Sequence, residues 1–239
     1  MPEQTPNLQV NNVVAEHALA AELAEVERLL LEAVEELIPP FRQMVAARLR
    51  SSYPLRRAAV VLTAGVAAPD QAVVRDRRIY LAAALEMLHL ALSVHIIMTD
   101  TEAHDPANRS LLGSAILAGD YCFSRSASLA VRTGNATVVE IFSDALKRVS
   151  EGHLRHLFVP TATAYHEDSE LFTAGAQAAM ELAATPVRVR SEIMELVGRL
   201  DQLASTPMIG ATLPLRTDSL LDSYQQERWQ ALQQWWHSD

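Results

Sequence analysis

The sequence predicts an all-α protein built as a helical bundle, and three observations support this prediction. Apolar residues recur at three- and four-residue spacing along most of the 239-residue chain, which is the period of an amphipathic helix. Hydrophobic residues make up 49% of the chain and only 8 residues are Gly, a balance typical of helical proteins. Alternating apolar and polar runs and Asn-Gly or Asp-Gly hairpin signals are absent from the sequence, which argues against a sheet.

The order of the predicted helices follows from the Pro, Gly and polar residues between the apolar segments. The first helix begins at Asn12, a suitable N-cap, and ends at the Pro39-Pro40 pair. Gly134-Asn135 and Pro160 mark joints between later helices. In chain order the predicted helices span residues 12–37, 40–50, 55–67, 71–98, 111–132, 136–158, 161–184, 186–204 and 217–236.

The same pattern divides the chain into four parts. Residues 1–11 are predicted to be a disordered tail, and residues 12–204 are predicted to form the bundle. Residues 205–216 contain two Pro and one Gly and are predicted to be a linker. Residues 217–239 are predicted to form an amphipathic C-terminal helix, whose three tryptophans indicate either packing on the bundle or an interface with a partner.

The helix predicted over residues 71–98 is expected to be the centre of the bundle. Its second half is nearly all apolar and carries one charge, Glu86, and two histidines, His89 and His95. A helix that is apolar on every side is buried, so the other helices are expected to pack around it. It leads into an acidic, polar loop at residues 99–110, where we expect the mouth of a cavity.

The composition limits the classes of function. A formal net charge of −9 argues against a general nucleic-acid-binding protein, because binding to phosphates requires a basic face. The single cysteine, Cys122, cannot form an internal disulfide and is consistent with a reducing compartment. The polar N-terminal residues do not resemble a signal peptide, and the sequence has no stretch of about 18 uncharged apolar residues. We therefore expect a cytoplasmic protein without a membrane-spanning segment.

Several residues have the types and spacing of metal sites. Glu86 and His89 form a Glu-x-x-His pair of the kind that di-iron bundles use. The sequence has no second such pair, so we interpret them as a satisfied, buried Glu–His pair. His153 and His156 lie one helical turn apart and could bind a metal with His89 or His95, although isolated histidines on helices are more often structural. We predict no metal site.

Three further features have a structural interpretation that we prefer. The acidic segment 100–105 is expected to be a solvated loop, because its carboxylates are adjacent rather than one helical turn apart. Arg56 and Arg57 could bind a diphosphate, but we expect them at a solvated helix end. Gly119 and Asp120 interrupt an apolar helix, and the carboxylate of Asp120 is expected to accept a buried hydrogen bond.

Three segments carry closely spaced motifs in a fixed order: LAAALEMLHLALSVHIIMTD, LLGSAILAGDYCF and VSEGHLRHL. They are similar to the motifs A-x-x-x-E-x-x-H-x-x-S-L-x-H-D-D-x-x-D, G-x-x-x-A-x-L-x-G-D-x-L and E-G-E-x-x-Q of the trans-isoprenyl diphosphate synthase, or polyprenyl synthetase, family. The matching positions are Glu86, His89, Ser93, His95, Gly113, Ala115, Leu117, Gly119, Asp120, Glu151 and Gly152. The resemblance implies the isoprenoid-synthase fold, an all-α antiparallel bundle around a central buried helix.

The departures from these motifs first affect the metal sites. In the family, aspartates that follow the histidine hold magnesium ions on the allylic diphosphate, and ionisation of that diphosphate starts chain elongation. Here Ile96 and Ile97 replace the first two aspartates, and only Asp100 matches the third. Aliphatic side chains cannot ligate Mg²⁺. No Asp-Asp pair occurs anywhere in the sequence, so the family's second aspartate-rich motif is missing too.

The residues that bind diphosphate in the family are also replaced. The Gly-Lys-Arg-x-Arg-Pro motif aligns with residues 52–57 and keeps one arginine, and the chain continues HEDSELF after Tyr165, where the family has Lys-Thr. Lys147 is the only lysine, the paired arginines after the acidic loop are reduced to Arg109, and E-G-E-x-x-Q has become EGHLRH. Electrostatic stabilisation is normally the largest catalytic contribution, so we expect the prenyltransfer reaction to be lost.

The resemblance and its departures together imply a catalytically inactive chain. Such chains resemble the small, regulatory subunits of heteromeric prenyl diphosphate synthases, which pair with an active subunit and adjust product length. We predict as partner an active synthase subunit or a second copy, a prenyl chain as candidate ligand, and no cofactor, with Mg²⁺ bound only by the active partner. We predict no catalytic residue; the positions that match the family's diphosphate site or cavity are Arg56, His89, His95, Ile96, Ile97 and Asp100.

Two alternatives are open. In one, the chain is an enzyme with altered chemistry that performs a non-ionising step or a metal reaction. The residues for that role are His89, His95, Asp100, Glu151 and His153. In the other, the chain is a binding protein that carries an isoprenoid or another apolar ligand in the cavity. Tight stoichiometric metal or turnover of a prenyl diphosphate would favour the first, and a retained apolar ligand would favour the second.

Overall fold

The computed structural model describes residues 6–51, 55–96, 106–158, 166–205 and 219–238. In these ranges the chain forms nine α-helices and no strand, so the all-α prediction is confirmed. None of these helices is both long and apolar enough to cross a bilayer. The helices are α1 (Pro6–Glu35), α2 (Phe41–Ser51), α3 (Arg56–Ala64), α4 (Ala72–Ile96), α5 (Pro106–Val131), α6 (Ala136–Phe158), α7 (Glu167–Leu182), α8 (Val187–Ser205) and α9 (Ser223–Ser238).

The first helix is longer than predicted. α1 begins at Pro6, so residues 6–11 are helical rather than a tail, and Asn12 lies within the helix instead of capping it. Proline suits the first turn of a helix, where its missing N–H would have no intrahelical partner in any case. The predicted disorder of residues 1–5 falls outside the described residues.

The later helix ends follow the same local rules. α5 also begins at a proline, Pro106, five residues before the predicted start. It ends before Gly134, whose φ of 63° is the left-handed conformation that glycine adopts after a helix. Asn135 Oδ1 then accepts a hydrogen bond from the N–H of Val138 at 3.2 Å and caps α6. The predicted joint between these two helices is therefore found.

α4 is the central helix of the bundle. The eight consecutive residues from Leu81 to Leu88 are all buried, so α4 is surrounded on every side. It packs against α1, α2, α3, α5 and α7. Ala82, Ala83 and Ala84 are fully buried, and their small side chains let the neighbouring helices approach the α4 backbone closely. The charged side chain within this segment, Glu86, must therefore find its partner inside the protein.

The interior between α3, α4 and α7 is filled by side chains at a glycine of α7. A Cβ atom on Gly175 would lie 2.6 Å from Leu85 Cδ1 and 2.8 Å from Val61 Cγ2. These distances are shorter than van der Waals contact, so the two side chains occupy the space that the glycine leaves. Around Gly175 the interior of the bundle is therefore closely packed and leaves no space for a ligand.

The C-terminal helix packs on the bundle, against α1 and α3. Trp229 is fully buried, and Trp236 packs edge-to-face on Phe172 of α7 with ring centroids 6.0 Å apart. Of the two interpretations of the C-terminal tryptophans, packing on the bundle is therefore correct for these two residues. Trp235 is only partly buried and contacts Trp236 edge-to-face. The predicted linker over 205–216 lies outside the described residues, except for Ser205 at the end of α8.

A buried ion network holds α9 to α1 and α4. We call it the α1–α9 network, and its charged members are Glu22, Asp70, Arg78 and Arg228. Glu22 Oε1 accepts a hydrogen bond from Arg78 Nη2 at 2.7 Å, and Glu22 Oε2 accepts one from Arg228 Nη2. Asp70 accepts two hydrogen bonds from Arg78, at 3.0 and 3.1 Å. Both arginines are fully buried, and the two carboxylates balance their charges.

Candidate functional site

A second ion network lies where the first turns of α3 and α7 meet α4 and the last turns of α6. We call it the α3–α7 network, and its members are Arg57, Glu86, His89, His153, Glu167 and Asp168. It contains the Glu-x-x-His pair of α4 and the acidic start of α7. The position matches the candidate site in the sequence, so its geometry decides which chemistry is available there.

The floor of the α3–α7 network is a buried ion pair. Arg57 Nε donates to Glu86 Oε2 at 3.0 Å, and the two side chains are only 5% and 3% exposed. Glu86 Oε1 accepts a second hydrogen bond from the N–H of Ala58 at 2.8 Å. Glu86 is therefore buried and satisfied, as predicted, but its partner is Arg57 rather than His89. The expectation of a solvated helix end was wrong for Arg57, because the α4 carboxylate draws its guanidinium into the core.

Asp168 binds the other side of the same guanidinium. Its Oδ1 accepts a hydrogen bond from Arg57 Nη1 at 2.5 Å, and its side chain is 49% exposed. Burial alone would lower the pKa of Arg57, but attraction to Glu86 and Asp168 raises it overall, so the guanidinium stays charged. Asp168 also lies in the first turn of α7, where the helix dipole favours negative charge.

Two histidines share the remaining carboxylate. His89 Nδ1 lies 2.8 Å from Glu167 Oε1, and His153 Nε2 lies 3.2 Å from Glu167 Oε2. An ionised carboxylate only accepts hydrogen bonds, so the ring nitrogens that face Glu167 are the donors. Helices α4 and α6 are therefore joined through one side chain of α7. Both oxygens of this carboxylate are occupied by groups of the chain itself.

The second histidine of α4 lies apart from this network. His95 packs on the backbone of α5 at Gly119, where any Cβ atom would overlap the imidazole ring. Its Nε2 lies 3.5 Å from Asp120 Oδ1 and 3.4 Å from the carbonyl oxygen of Ile116. Gly119 is thus a packing glycine, as predicted. Asp120 is 66% exposed, however, and the expectation of a buried hydrogen bond at this carboxylate was wrong.

The other predicted site residues are scattered. Arg56 lies over the ring of Trp236, with its Cζ 5.1 Å from the ring centroid, and its guanidinium faces α9 instead of the network. Ile96 is the last residue of α4, and Ile97 and Asp100 lie outside the described residues. Glu151 is 56% exposed and lies 4.0 Å from Lys147 on the same helix. Of the predicted positions that the structure describes, only His89 and His153 come together, on Glu167.

The residues that the site would need for magnesium do not fit that ion. Glu86 uses one oxygen for Arg57 and the other for a backbone N–H, and Glu167 uses both oxygens for imidazoles. Mg²⁺ requires several free oxygen ligands in octahedral geometry. Among the described residues, no group of three His, Cys, Asp or Glu side chains is placed to hold a metal ion.

Sequence reasoning did not identify Glu167 and Asp168 as members of the network, and it did not predict that Arg57 pairs with Glu86. The available signal was charge balance across separate segments. The buried second half of α4 carries one carboxylate, Glu86, which requires a cationic partner from another helix. The acidic run after Tyr165 contains the two other carboxylates of the network, Glu167 and Asp168.

Comparisons with known proteins identify the fold. No family model matches the chain, and no curated protein matches it in sequence. Solved structures do match: a decaprenyl diphosphate synthase from Rhodobacter capsulatus is 22% identical, with 93% of this chain and 79% of that chain covered and a TM-score of 0.57. A polyprenyl synthase from Caulobacter crescentus CB15, complexed with calcium and isoprenyl diphosphate, is 23% identical, with coverages of 81% and 68% and a TM-score of 0.61.

A third match has nearly the same extent as this chain. An isoprenoid synthase family member from Thermotoga neapolitana is 17% identical, with 90% of each chain covered and a TM-score of 0.58. The chain therefore has the all-α isoprenoid-synthase fold that its motifs implied. At these identities the likeness establishes the fold, and the functional argument must come from the site.

Proposed function

We propose that this chain is a catalytically silent, prenyl-synthase-like subunit that assembles with an active prenyl diphosphate synthase and adjusts the length of its product. The α3–α7 network is the observation that carries the proposal. Its one guanidinium, Arg57, is matched by two carboxylates of the chain, and its two histidines share a third, Glu167. A diphosphate requires cationic groups that are still available to bind it.

The surroundings of the network support the same function. Arg56 is the arginine that the family motif retains, and it faces Trp236 of α9. Ile96 and Ile97 stand where the resemblance implies metal-binding aspartates, and aliphatic side chains offer no oxygen to Mg²⁺. In this proposal the ion and the reacting diphosphate belong to the active partner. The bundle then serves assembly rather than chemistry.

The alternative of an isoprenoid carrier has less support. Leu85 and Val61 fill the space beside Gly175 between three core helices, so a prenyl chain that entered between these helices would have to displace them. Displacing packed core side chains costs about 1–3 kcal/mol before any ligand contact is gained. We therefore prefer the subunit function to the carrier function.

A prenyltransferase assay tests the proposal. Isopentenyl diphosphate, an allylic diphosphate and Mg²⁺ are supplied to this chain alone, to the active synthase of the same organism alone, and to the mixture. We expect no turnover by this chain alone, a shifted distribution of product lengths in the mixture, and co-elution of the two proteins. Turnover by this chain alone would overturn its catalytic silence, and an unchanged product distribution without co-elution would overturn the subunit role.

A second candidate function rests on the histidines that share Glu167. A carboxylate that accepts a hydrogen bond from one ring nitrogen of a histidine fixes the tautomer and the orientation of the ring, an arrangement used in proton transfer. His89 is the member of the pair that lies on the central helix. If this chain alone consumes an allylic diphosphate without elongating it, His89→Ala should abolish that activity, whereas Glu140→Gln, on the exposed face of α6, should leave it unchanged.

A further inference from the structure

The exposed face of α1 carries a shallow apolar groove with an acidic border. Two adjoining depressions form it, about 530 and 170 Å³ in volume, and they share Ala24 and Glu27. We call this surface the α1 groove. Its lining residues are Ala20, Leu23, Ala24, Glu27, Arg28, Leu31, Glu32, Glu35, Glu36, Leu55 and Trp235.

We propose that the α1 groove docks a basic amphipathic helix of a partner protein. The proposal goes beyond the function proposed above, because it specifies a surface and the chemistry of the segment that binds it. The proposal does not depend on which protein carries that helix. Three properties of the groove lead to this occupant: its apolar floor, its charge and its length.

The floor of the groove exposes apolar side chains that the bundle does not cover. Leu31 is 47% exposed although it lies in the middle of a long helix, and Ala20 and Ala24 are exposed on the same face. At one end Trp235 is only partly buried, beside Leu55. Large aromatic side chains at the end of an apolar strip are typical anchors for a docked helix.

The border of the groove is acidic. The larger depression is lined by four carboxylates and one guanidinium, that of Arg28. Three arginines pair with carboxylates of this face: Arg28 with Glu25 and Glu32, Arg42 with Glu35, and Arg125 with Glu36. With Glu27, the face carries five carboxylates against three guanidiniums, so an excess of two negative charges is left for a partner. An apolar strip between carboxylates selects a helix that carries leucine-type residues on one face and lysine or arginine on both sides of that face.

The length of the groove suits a helix rather than an extended peptide. The lining residues run along α1 from Ala20 to Glu36, which corresponds to about 24 Å at 1.5 Å per residue. A partner helix of about four turns covers this distance. Apolar anchors spaced three and four residues apart on that helix would follow the exposed face of α1, whose own residues repeat with the same period.

Binding of a synthetic peptide tests the proposal. The probe is a fluorescent helical peptide of about sixteen residues with leucines on one face and lysines beside them, and its counterpart carries glutamates in place of the lysines. We expect the basic peptide to bind the full chain with micromolar affinity and its acidic counterpart to bind at least about tenfold more weakly. Raising the salt concentration should weaken the binding of the basic peptide, because salt screens the attraction between exposed charges.

Matched variants distinguish the groove from a general attraction to an acidic protein. Glu27→Lys reverses one charge in the groove, and Glu140→Lys makes the same change on the exposed face of α6. We expect the α1 variant, but not the α6 variant, to weaken the basic peptide about tenfold or more. Leu31→Ser tests the floor without a change of charge and should also weaken binding.

Three results would overturn the proposal. Equal losses in the α1 and α6 variants would mean that the peptide responds only to net charge. Equal binding of the basic and acidic peptides would mean that the border has no role. A concentration-dependent dimer that Leu31→Ser abolishes, with no peptide binding, would assign the groove to a second copy of this chain. Each variant is first checked by circular dichroism, and the mutated side chains are all exposed.

Discussion

The two ion networks both bury arginines against carboxylates, but they differ in their access to water. In the α1–α9 network, Arg78 and Arg228 are 0% exposed and Glu22 is 7% exposed. In the α3–α7 network the floor is equally dry, but Asp168 is 49% exposed and His153 is 36% exposed. In the first network both arginines are shielded from water and the most exposed carboxylate, Asp70, is 15% exposed, whereas the second network is closed below and open at its rim.

This difference indicates separate roles for two similar sets of side chains. A fully buried ion pair adds little net stability, because desolvation offsets the attraction, but it imposes a high cost when one partner is lost. The α1–α9 network therefore fixes how α9 sits on the bundle. The open rim of the α3–α7 network is where a ligand would be expected. There Arg57 is paired with Asp168, and both histidines contact Glu167, so these groups already have partners within the chain.

The largest effect is expected from breaking the closed network at its shared carboxylate. Glu22→Gln removes the negative charge that serves both Arg78 and Arg228, and we expect a loss of about 3–5 kcal/mol in the free energy of unfolding. Urea unfolding followed by circular dichroism measures it. Glu27→Gln on the exposed face of α1 is the control, with an expected change within about 0.5 kcal/mol. A loss below about 1 kcal/mol for Glu22→Gln would mean that water reaches the buried arginines.

A smaller effect is expected at the floor of the open network. Arg57→Leu leaves the buried carboxylate of Glu86 with one backbone partner, and we expect a loss of about 3 kcal/mol. Adding Glu86→Leu should recover part of that loss, because the unpaired charge is removed, although the N–H of Ala58 then loses its acceptor. A double-mutant cycle in urea measures the coupling. Simple additivity of the two losses would contradict the pairing.

Removing the charge of one carboxylate from each network, Asp168 or Asp70, compares the two networks directly, because the two side chains differ in exposure. Asp168→Asn should cost less than about 1 kcal/mol, because a half-exposed ion pair is screened by water. Asp70→Asn should cost at least about 1 kcal/mol more, because Asp70 is 15% exposed and receives two hydrogen bonds from Arg78. Thermal and urea unfolding provide both values. Equal costs would remove the distinction between a closed network and an open one.

The smallest effect is expected at alkaline pH, at the edge of the closed network. Burial, followed by the charge of Asp70, raises the pKa of Tyr224. The folded state therefore holds the phenol proton more tightly than the unfolded chain. This stabilisation is fully present below about pH 10 and is lost as the pH rises through the pKa of the folded state, by at most about 1.4 kcal/mol per pH unit.

Tyr224→Phe should make the decline of stability above about pH 10 less steep than in the unmodified chain. Tyr121 and Cys122, whose burial raises their pKa values to about 12, contribute to both proteins in the same range. The difference between the two proteins therefore reports on Tyr224, and identical slopes would show that its environment does not differ from that of the unfolded chain.

The fold could be predicted from the sequence because its signals are local. Helical periodicity and the Pro and Gly joints identify nine helices, and the apolar run with a single charge identifies α4 as the central one. The errors at helix starts have a local cause as well. Pro6 and Pro106 each begin a helix, whereas sequence reasoning placed those starts at later residues.

The site could be predicted only in part, because its pairings depend on distant residues. Arg57 lies 29 positions from Glu86 and 111 positions from Asp168, and nothing local to any of them reveals the contact. The glycine at position 119 has its reason in His95, on another helix. The exposure of Asp120, by contrast, agrees with helical periodicity, because the buried residues of that segment are Ala115, Ala118, Gly119 and Cys122, which lie on one face of α5.

The pairing of Glu22 with Arg228 also has a consequence for synthesis on the ribosome. These residues are 206 positions apart, so α1 carries a carboxylate whose second arginine is translated long after it. Contacts between such distant parts of a chain form late and slow folding. The nascent bundle therefore presents an incomplete surface on α1 and α3 until α9 has emerged, and until then that surface is accessible to a chaperone or an already folded partner.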